Sequence, residues 1–515
     1  MVEITAIILC PEILFLVLMS LFNLRKMKTL YIKIFLLLFI CIISCDKALE
    51  VSPTSVITTN SFWKTEDDAK GALYGMYVDL RGVSEALFMT GDQRSEIYTG
   101  GVYGGGTYVL YNNSITPDVP GHPDWYAYYR VINSANLILK YVPGIVFKSE
   151  NDKNNILAQA YAMRAFIYYN MSKTWGDLII RTEPTESSNP EITYKERSPK
   201  EDVFKLIKED IEKALQLFTS NEFSAGRSVW SKAALNTLKA DVYLWTSKQM
   251  NGGPTDLETA LNACNEVQKA NVSLLPNFAD IFKYENKGNK EIIMSIRYND
   301  LEGSNFFWHM WIIGSAVPSN ITQKAKDILL PVGGGQGLMV ISDLVRNQFS
   351  NDDSRKAASY FDIYTFDEKG DSTYYSNVCL KGSGVVVGGN RVFSSDIVLY
   401  RYADVLLMKA EAKNGLNQDP SDEINEIRKR AYGEKYNNHI FVNGTQTQND
   451  EAILQERLFE LIYEGKRWWD LLRFNKAFEL VPTLQTQKDK EYLRLFPIAT
   501  SVLSLEPKVK QNPGY

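Results

Sequence analysis

Cysteine is scarce: five occur in 515 residues, at 10, 41, 45, 264 and 379. No CxxC pair is present, which excludes a disulfide framework and a structural zinc site. Cys264 and Cys379 are read as isolated buried thiols, with a single bridge between them as the alternative. Histidine is scarcer still, with only His122, His309 and His439, and none falls in an HExxH-type spacing. There is no basic excess either. The chain carries 56 Lys and Arg against 61 Asp and Glu, net −5, so nothing is available to neutralise a nucleic-acid backbone. A GxSxG elbow and a P-loop are both missing. The glycine clusters at 104–106 and 333–335 have no following Lys-Ser/Thr and no βαβ context. Mean hydropathy of −0.21 rules out a polytopic membrane protein. Carboxylates are plentiful, so a glycosidase pair, which needs only a spatial separation, stays open.

What the chain does have is apolar residues (45%) and aromatics (12%, with 29 Tyr and 9 Trp). That is enough for a large core with surface rings left over for binding. The N-terminus carries two apolar stretches. The second, MKTLYIKIFLLLFICIISC, starts at Met27, with Lys28 and Lys33 before a ten-residue run from Ile34 to Ile43. Such a run is too short to cross about 30 Å of hydrocarbon. Small Ser44 precedes Cys45, as in a lipobox, and the expectation is a signal peptide over 1–44 and a lipidated Cys45. Met27 is then the expected start, Met1 the alternative. Removal of 1–44 would shift the net charge to −7.

After a polar tether over 45–60, helical periodicity dominates. SFWKTEDDAKGALYGMYVDLRG reads as a helix capped by Ser61 or Thr65, with Ala69, Leu73, Met76 and Tyr77 as its apolar stripe. Later stretches read as hairpins. Residues 125–142 pair with 154–177, and 199–218, capped by Ser198, pair with 228–248. Residues 398–416 pair with 421–433, and 450–474 close the set. Alanines alternating with large aromatics suggest tetratricopeptide-type repeats without a strict 34-residue period. The expected fold is mainly α: a scaffold over 61–97, 124–285 and 396–480, and an irregular, loop-rich lobe with a few short strands over 98–123 and 286–395. The charges Glu456, Arg457, Glu460, Glu464, Arg467, Asp470 and Arg473 recur at helical steps and are read as an ion-pair network, with Arg401, Asp404 and Glu411 alike.

From the lipobox onward the chain resembles the SusD/RagB family of outer-membrane nutrient-binding lipoproteins. The matching pieces run in order: SFWKTEDDAKGALYGMYVDLR, GDQRSEIY (91–98), AQAYAMRAFIYYNMSKTWGDL, EIIMSIRY, LYRYADVLLMKAEA, ERLFELIYEGKRWWDLLRF and YLRLFPIATSVLSLEPKVKQNPGY. The resemblance implies four tetratricopeptide-like hairpins, no enzymatic activity and no cofactor beyond the lipid on Cys45. It also implies a cell-surface place in the outer membrane, an oligosaccharide ligand and a SusC-like TonB-dependent transporter as partner. Peptide uptake is the alternative, a surface glycoside hydrolase the more distant one.

Sugar recognition needs flat apolar faces for pyranose C–H groups and polar groups for hydroxyls. Two stretches supply them: Tyr98, Tyr103, Tyr108, Tyr111 and Asn112 in the first, Asn305, Trp308 and Trp311 in SNFFWHMWIIG. Tyr98, Tyr103, Tyr108, Tyr111, Asn112, Trp308 and Trp311 are therefore the expected ligand residues. Phe306, Phe307, Trp308 and Trp311 serving as lobe core is the competing reading, and for the tyrosines, contact with the transporter. Asp92 and Arg94 are expected to support the loop.

Overall fold

Thr65 shows how the local code works. Its hydroxyl accepts from Asp68 N while the Asp68 carboxylate accepts from Thr65 N at 2.7 Å, a reciprocal cap that opens helix α1 (Glu66–Gly82). The buried face of α1 is Ala69, Leu73, Met76 and Leu80. The computed structural model describes residues 62–515 apart from 105–107, 123, 225 and 330–334. The signal, Cys45 and the tether lie outside the described residues. No helix among those described is long and apolar enough to cross a membrane.

Residues 64–515 form one unit. After α1 come α2 (Ser84–Asp92), α3 (Tyr126–Tyr141), α4 (Glu150–Trp175), α5 (Lys200–Leu217), α6 (Lys232–Gln249), α7 (Gly253–Gln268), α8 (Tyr402–Gly415), α9 (Ser421–Tyr432), α10 (Gln446–Leu461) and α11 (Arg467–Arg473). The fold is mainly α, built of tetratricopeptide-like hairpins; the expected pairings of α3 with α4 and of α8 with α9 are present, but that of α5 with α6 is not the main one. Helix α3 lies between α1 and α4; α4 packs chiefly on α5, and α6 on α7, while α5 and α6 touch only lightly. The cause is visible on α4. Residues from Ile156 to Trp175 are buried nearly all round, so the helix needs neighbours on both sides. Arg164 then forks onto Asp210 of α5 at 2.7 and 2.8 Å, which sets that register. The Ser198 cap is also corrected: α5 starts after Pro199, and its Lys200 N–H is taken by Asp177, one residue past Gly176 at φ 77°.

Among the described residues the strands form four two-stranded antiparallel ribbons. β1 (Tyr98–Gly100) pairs with β3 (Met339–Ile341), and β2 (Ile292–Ile296) with β8 (Ile397–Arg401). β4 (Tyr360–Phe366) pairs with β5 (Ser372–Cys379), and β6 (Val385–Val387) with β7 (Asn390–Val392). The two runs read as β-type on either side of the lobe, EIIMSIRY and SDIVLY, are thus partners. Their pairing closes the lobe at its base. Cys264 and Cys379 are free and buried.

Where α10, α11 and β8 meet, the charged motif is interior. Glu460 accepts from Arg401, Arg430 and Arg355, and Glu464 from Arg401 and Lys381. A second run joins Asp404, Arg457, Asp470, Arg473 and Glu411. It is an ion-pair network, with no acid left facing solvent for a ligand. Burial raises the Glu411 carboxyl, but Arg473 and Lys248 more than offset that and hold it down at about 2. Asp404 and Glu460 are likewise held below their ordinary range by their cationic neighbours, against burial. Depressed carboxylates stabilise the fold above their unfolded pKa and lose that contribution as pH falls through the folded value. Asp92 runs the other way, raised to about 7 by burial, but its contribution is already complete below its ordinary 3.8. Denaturant midpoints are therefore expected to fall steeply between about pH 4 and pH 2, where the depressed carboxylates take up protons and Asp92 no longer changes. A midpoint insensitive to pH across that range would refute the assignment.

Candidate functional site

The GDQRSEIY segment is built to hold a loop. The Gly91 backbone lies against the turn between α10 and α11: a Cβ there would sit 2.0 Å from Gly465 O. Asp92 accepts from Arg467 N at 3.1 Å and from the Tyr98 hydroxyl at 2.7 Å. Arg94 is fully buried. Its Nε donates to Asn113 Oδ1, its other nitrogens to the carbonyls of Leu493 and Leu495, and it lies over the Trp468 ring. Asn113, at φ 52°, returns a hydrogen bond to Arg94 O. Arg94 and Asn113 thus close the neck of the 98–113 loop, so Asp92 and Arg94 do support it.

The two aromatic stretches meet through a third segment that sequence reasoning did not single out. Gln336, Gly337 and Leu338 donate to the carbonyls of Trp308, Trp311 and His309. On the other edge, Gly101 and Tyr103 donate to Leu338 and Gly337, both at 3.0 Å. Glycines make this close approach possible: a Cβ on Gly101 would sit 2.3 Å from Gly337 O, and one on Gly104 1.7 Å from Leu338 O. A Gly-rich run just before a short β-type run was the available signal. Its partners, more than two hundred residues away in one case, were not legible.

The ligand residues expected from sequence divide into two groups. Tyr98 is buried, packed on Tyr463 and Phe88, with its hydroxyl spent on Asp92. Trp311 is 1% exposed, its Nε1 donating to Cys379 O and its face covered by Arg391. Neither presents a ring to a ligand, and Phe306 and Phe307 are core as well. Tyr111 is also buried; it stacks beneath Tyr108 at 5.5 Å and donates to Gly104 O at 3.0 Å. On the surface, Tyr103 is 56% exposed, and Tyr108, Asn112 and Trp308 are half-buried. Trp308 packs on His309, whose Nδ1 lies 3.5 Å from Glu85. Glu85 in turn lies beside Tyr108, whose phenol is pushed up to about 12 by burial and then by that carboxylate. Burial pushes His309 down to about 4, leaving a neutral imidazole at neutral pH.

Clefts of about 450 and 410 Å³ flank the β1/β3 ribbon and share its Thr99–Gly101 edge. The first is walled by Tyr98, Tyr111, Asn112 and Thr483, the second by Val102, Tyr374 and Tyr375. Glu85 and Tyr375 were not among the expected residues. Neither sits in a motif, and only packing brings them to this face.

Residues 387–515 match the family model described as "SusD family", and residues 102–244 match one described as "Starch-binding associating with outer membrane". A SusD superfamily protein from Bacteroides vulgatus has the same fold, with 31% identity, a TM-score of 0.79, and 88% of this chain and 100% of that one covered. The chain belongs to the SusD family. B. fragilis NanU is similarly close, at 34% identity and TM-score 0.81 over 90% of this chain and 100% of its own. Among curated SusD-like relatives, SusD-like protein P38 of Formosa agariphila is 29% identical over 95% of this chain and 100% of its own length. The matches extend across both scaffold and lobe, and a SusD-like chain accounts for the order of every motif quoted above.

Proposed function

We propose that this SusD-like chain binds an oligosaccharide on the face made by Tyr103, Tyr108 and Trp308, at the surface of the outer membrane. From there it passes the sugar to a SusC-like TonB-dependent transporter. The observation that carries the reading is the Gln336–Leu338 bridge, which joins the backbones of the two loops that carry exposed Tyr103 and half-buried Tyr108 and Trp308. Rings of this kind take the C–H side of a pyranose, while Asn112 and Glu85 offer groups to its hydroxyls. The starch-binding description of one family model supports a glycan ligand. So does a laminarin-binding SusD-like protein with the same fold (22% identity, TM-score 0.70). Cys45 carries the anchor in this reading, and two or more acyl chains there would give stable attachment. The chain's part is capture, not bond cleavage.

Affinity electrophoresis and calorimetry against a panel of soluble glycans test the reading. One or more glycans should bind, and Trp308→Ala should weaken that binding by about tenfold or more, with unfolding little changed. Silence across the glycans with clear binding of peptides would transfer the site to peptide capture. Turnover of a bound glycan would make the chain an enzyme. Co-purification with a barrel, lost when Cys45 is replaced by alanine in the full chain, tests the anchor and the partner together.

A further inference from the structure

A lysine is buried beside the ion-pair network, and no described residue gives its ammonium an acceptor. Lys173, near the end of α4, is 4% exposed, and its ammonium makes no hydrogen bond or ion pair among the described residues. Three rings surround it instead: Tyr169 at 4.0 Å, Trp469 at 4.8 Å and Trp245 at 5.9 Å. Asp241, the acid that most favours its charge, is occupied by the hydroxyls of Tyr169 and Tyr400 and by Arg473. Cation–π attraction offsets part of the cost of burying the charge but satisfies none of its three N–H donors.

Those donors have somewhere to go. Lys173 lines a pocket shared with Asp241, Asp470 and Arg473 on one side and, on the other, a pocket of about 200 Å³ between the ends of α4 and α6 and the start of α5. The pocket walls are apolar: Phe204, Trp245, Met250, Leu472 and Leu495. At its mouth stand Lys200 and Arg494, opposed by Glu491 alone among the pocket residues. Arg494 is held in place by Gln249, Asn475 and Glu491. The positive end of the α5 dipole faces the same way, although Asp177 caps its first N–H. The balance is basic, and the buried Lys173 is part of the wall.

We propose that this pocket is a second ligand site, separate from the β1/β3 clefts. It takes a small carboxylic acid with an aromatic or short alkyl body, the carboxylate on Lys173 and the body between Trp245, Phe204, Leu472 and Leu495. The volume is below that of sites for drug-sized ligands, roughly 300 Å³ and up, which limits the guest to one ring or a short chain. A single ammonium suits a carboxylate better than a phosphate dianion, whose three oxygens would need more donors than the walls provide. Burial pushes Lys173 down to about 7, so the ammonium is held weakly in the free protein, and an anion against it would keep the charge in place.

The test is calorimetry on the purified protein with 3-phenylpropionate as probe and 3-phenylpropanamide as its neutral counterpart. The acid should bind, with the amide about tenfold or more weaker. Lys173→Met should weaken the acid by at least about tenfold. Because that variant alters a buried residue, Met250→Trp serves as the second arm. It fills the half-exposed mouth, should abolish probe binding, and leaves Lys173 untouched. Glycan binding should persist in both variants, which separates failure here from failure of the glycan reading. No heat with the acid up to about 10 mM, equal binding of the amide, or undiminished binding in Met250→Trp would each overturn the proposal.

Discussion

Arg401→Met is expected to lower the free energy of unfolding by about 3–5 kcal/mol. The guanidinium is fully buried and donates to Glu464 at 2.8 and 2.9 Å, to Glu291 at 2.9 Å, and to the carboxylate and carbonyl of Glu460 at 2.6 Å each. Methionine fills much of the volume but leaves three buried carboxylates sharing only Arg430, Arg355 and Lys381. The loss comes from stranding those charges, not from the intrinsic worth of one bond. Arg401→Lys keeps the charge without the planar fork and should fall between the two. Lys476→Ala, which breaks the exposed pair with Glu479, should stay within about 0.5 kcal/mol. Denaturant unfolding of the three variants decides the matter. A cost for Arg401→Met near that of Lys476→Ala would show that the network does not bind the last helices to the scaffold.

Gly104→Ala is expected to cost about a hundredfold in oligosaccharide affinity while leaving global unfolding within about 1 kcal/mol. An added Cβ would meet Leu338 O at 1.7 Å and Gly101 N at 2.9 Å, both backbone atoms that cannot swing aside. The loop must lift from the Gln336–Leu338 segment, carrying Tyr103 away from Trp308. It also loses the Tyr111 hydroxyl that donates to Gly104 O. The scaffold is untouched because the loop's neck is held separately by Arg94 and Asn113. Gly71→Ala is the control: it has open space around it on α1 and should leave binding unchanged. Retained affinity in Gly104→Ala would mean that the ligand does not rest on the joined loops.

Much of the scaffold was readable because its signals are local. The Thr65 cap, the α1 stripe and the turn at Gly176 each depend on residues within a few positions of one another. The charged steps of the last helices were read as an ion-pair network because acids and bases at helical spacing face the same way. Pairing of helices was less legible. Helix α4 is buried nearly all round, so periodicity cannot say which neighbour covers which face. The single pair Arg164–Asp210 resolves it across 46 residues.

Chemistry of residue types, helix positions, the lipobox pattern at Cys45 and membership of a motif-ordered family were determined by the sequence alone. Which aromatics can meet a ligand was decided only in three dimensions. Tyr98 and Tyr103 lie five residues apart in one loop, yet one hydroxyl is buried against Asp92 and the other ring faces solvent. Trp308 and Trp311 divide in the same way. A ring's role depends on what packs over it, and here the covering groups are the α10–α11 turn, Arg391 and Gln336–Leu338. All of them are brought in by long-range backbone hydrogen bonds and close glycine contacts, which leave no periodic trace in the chain.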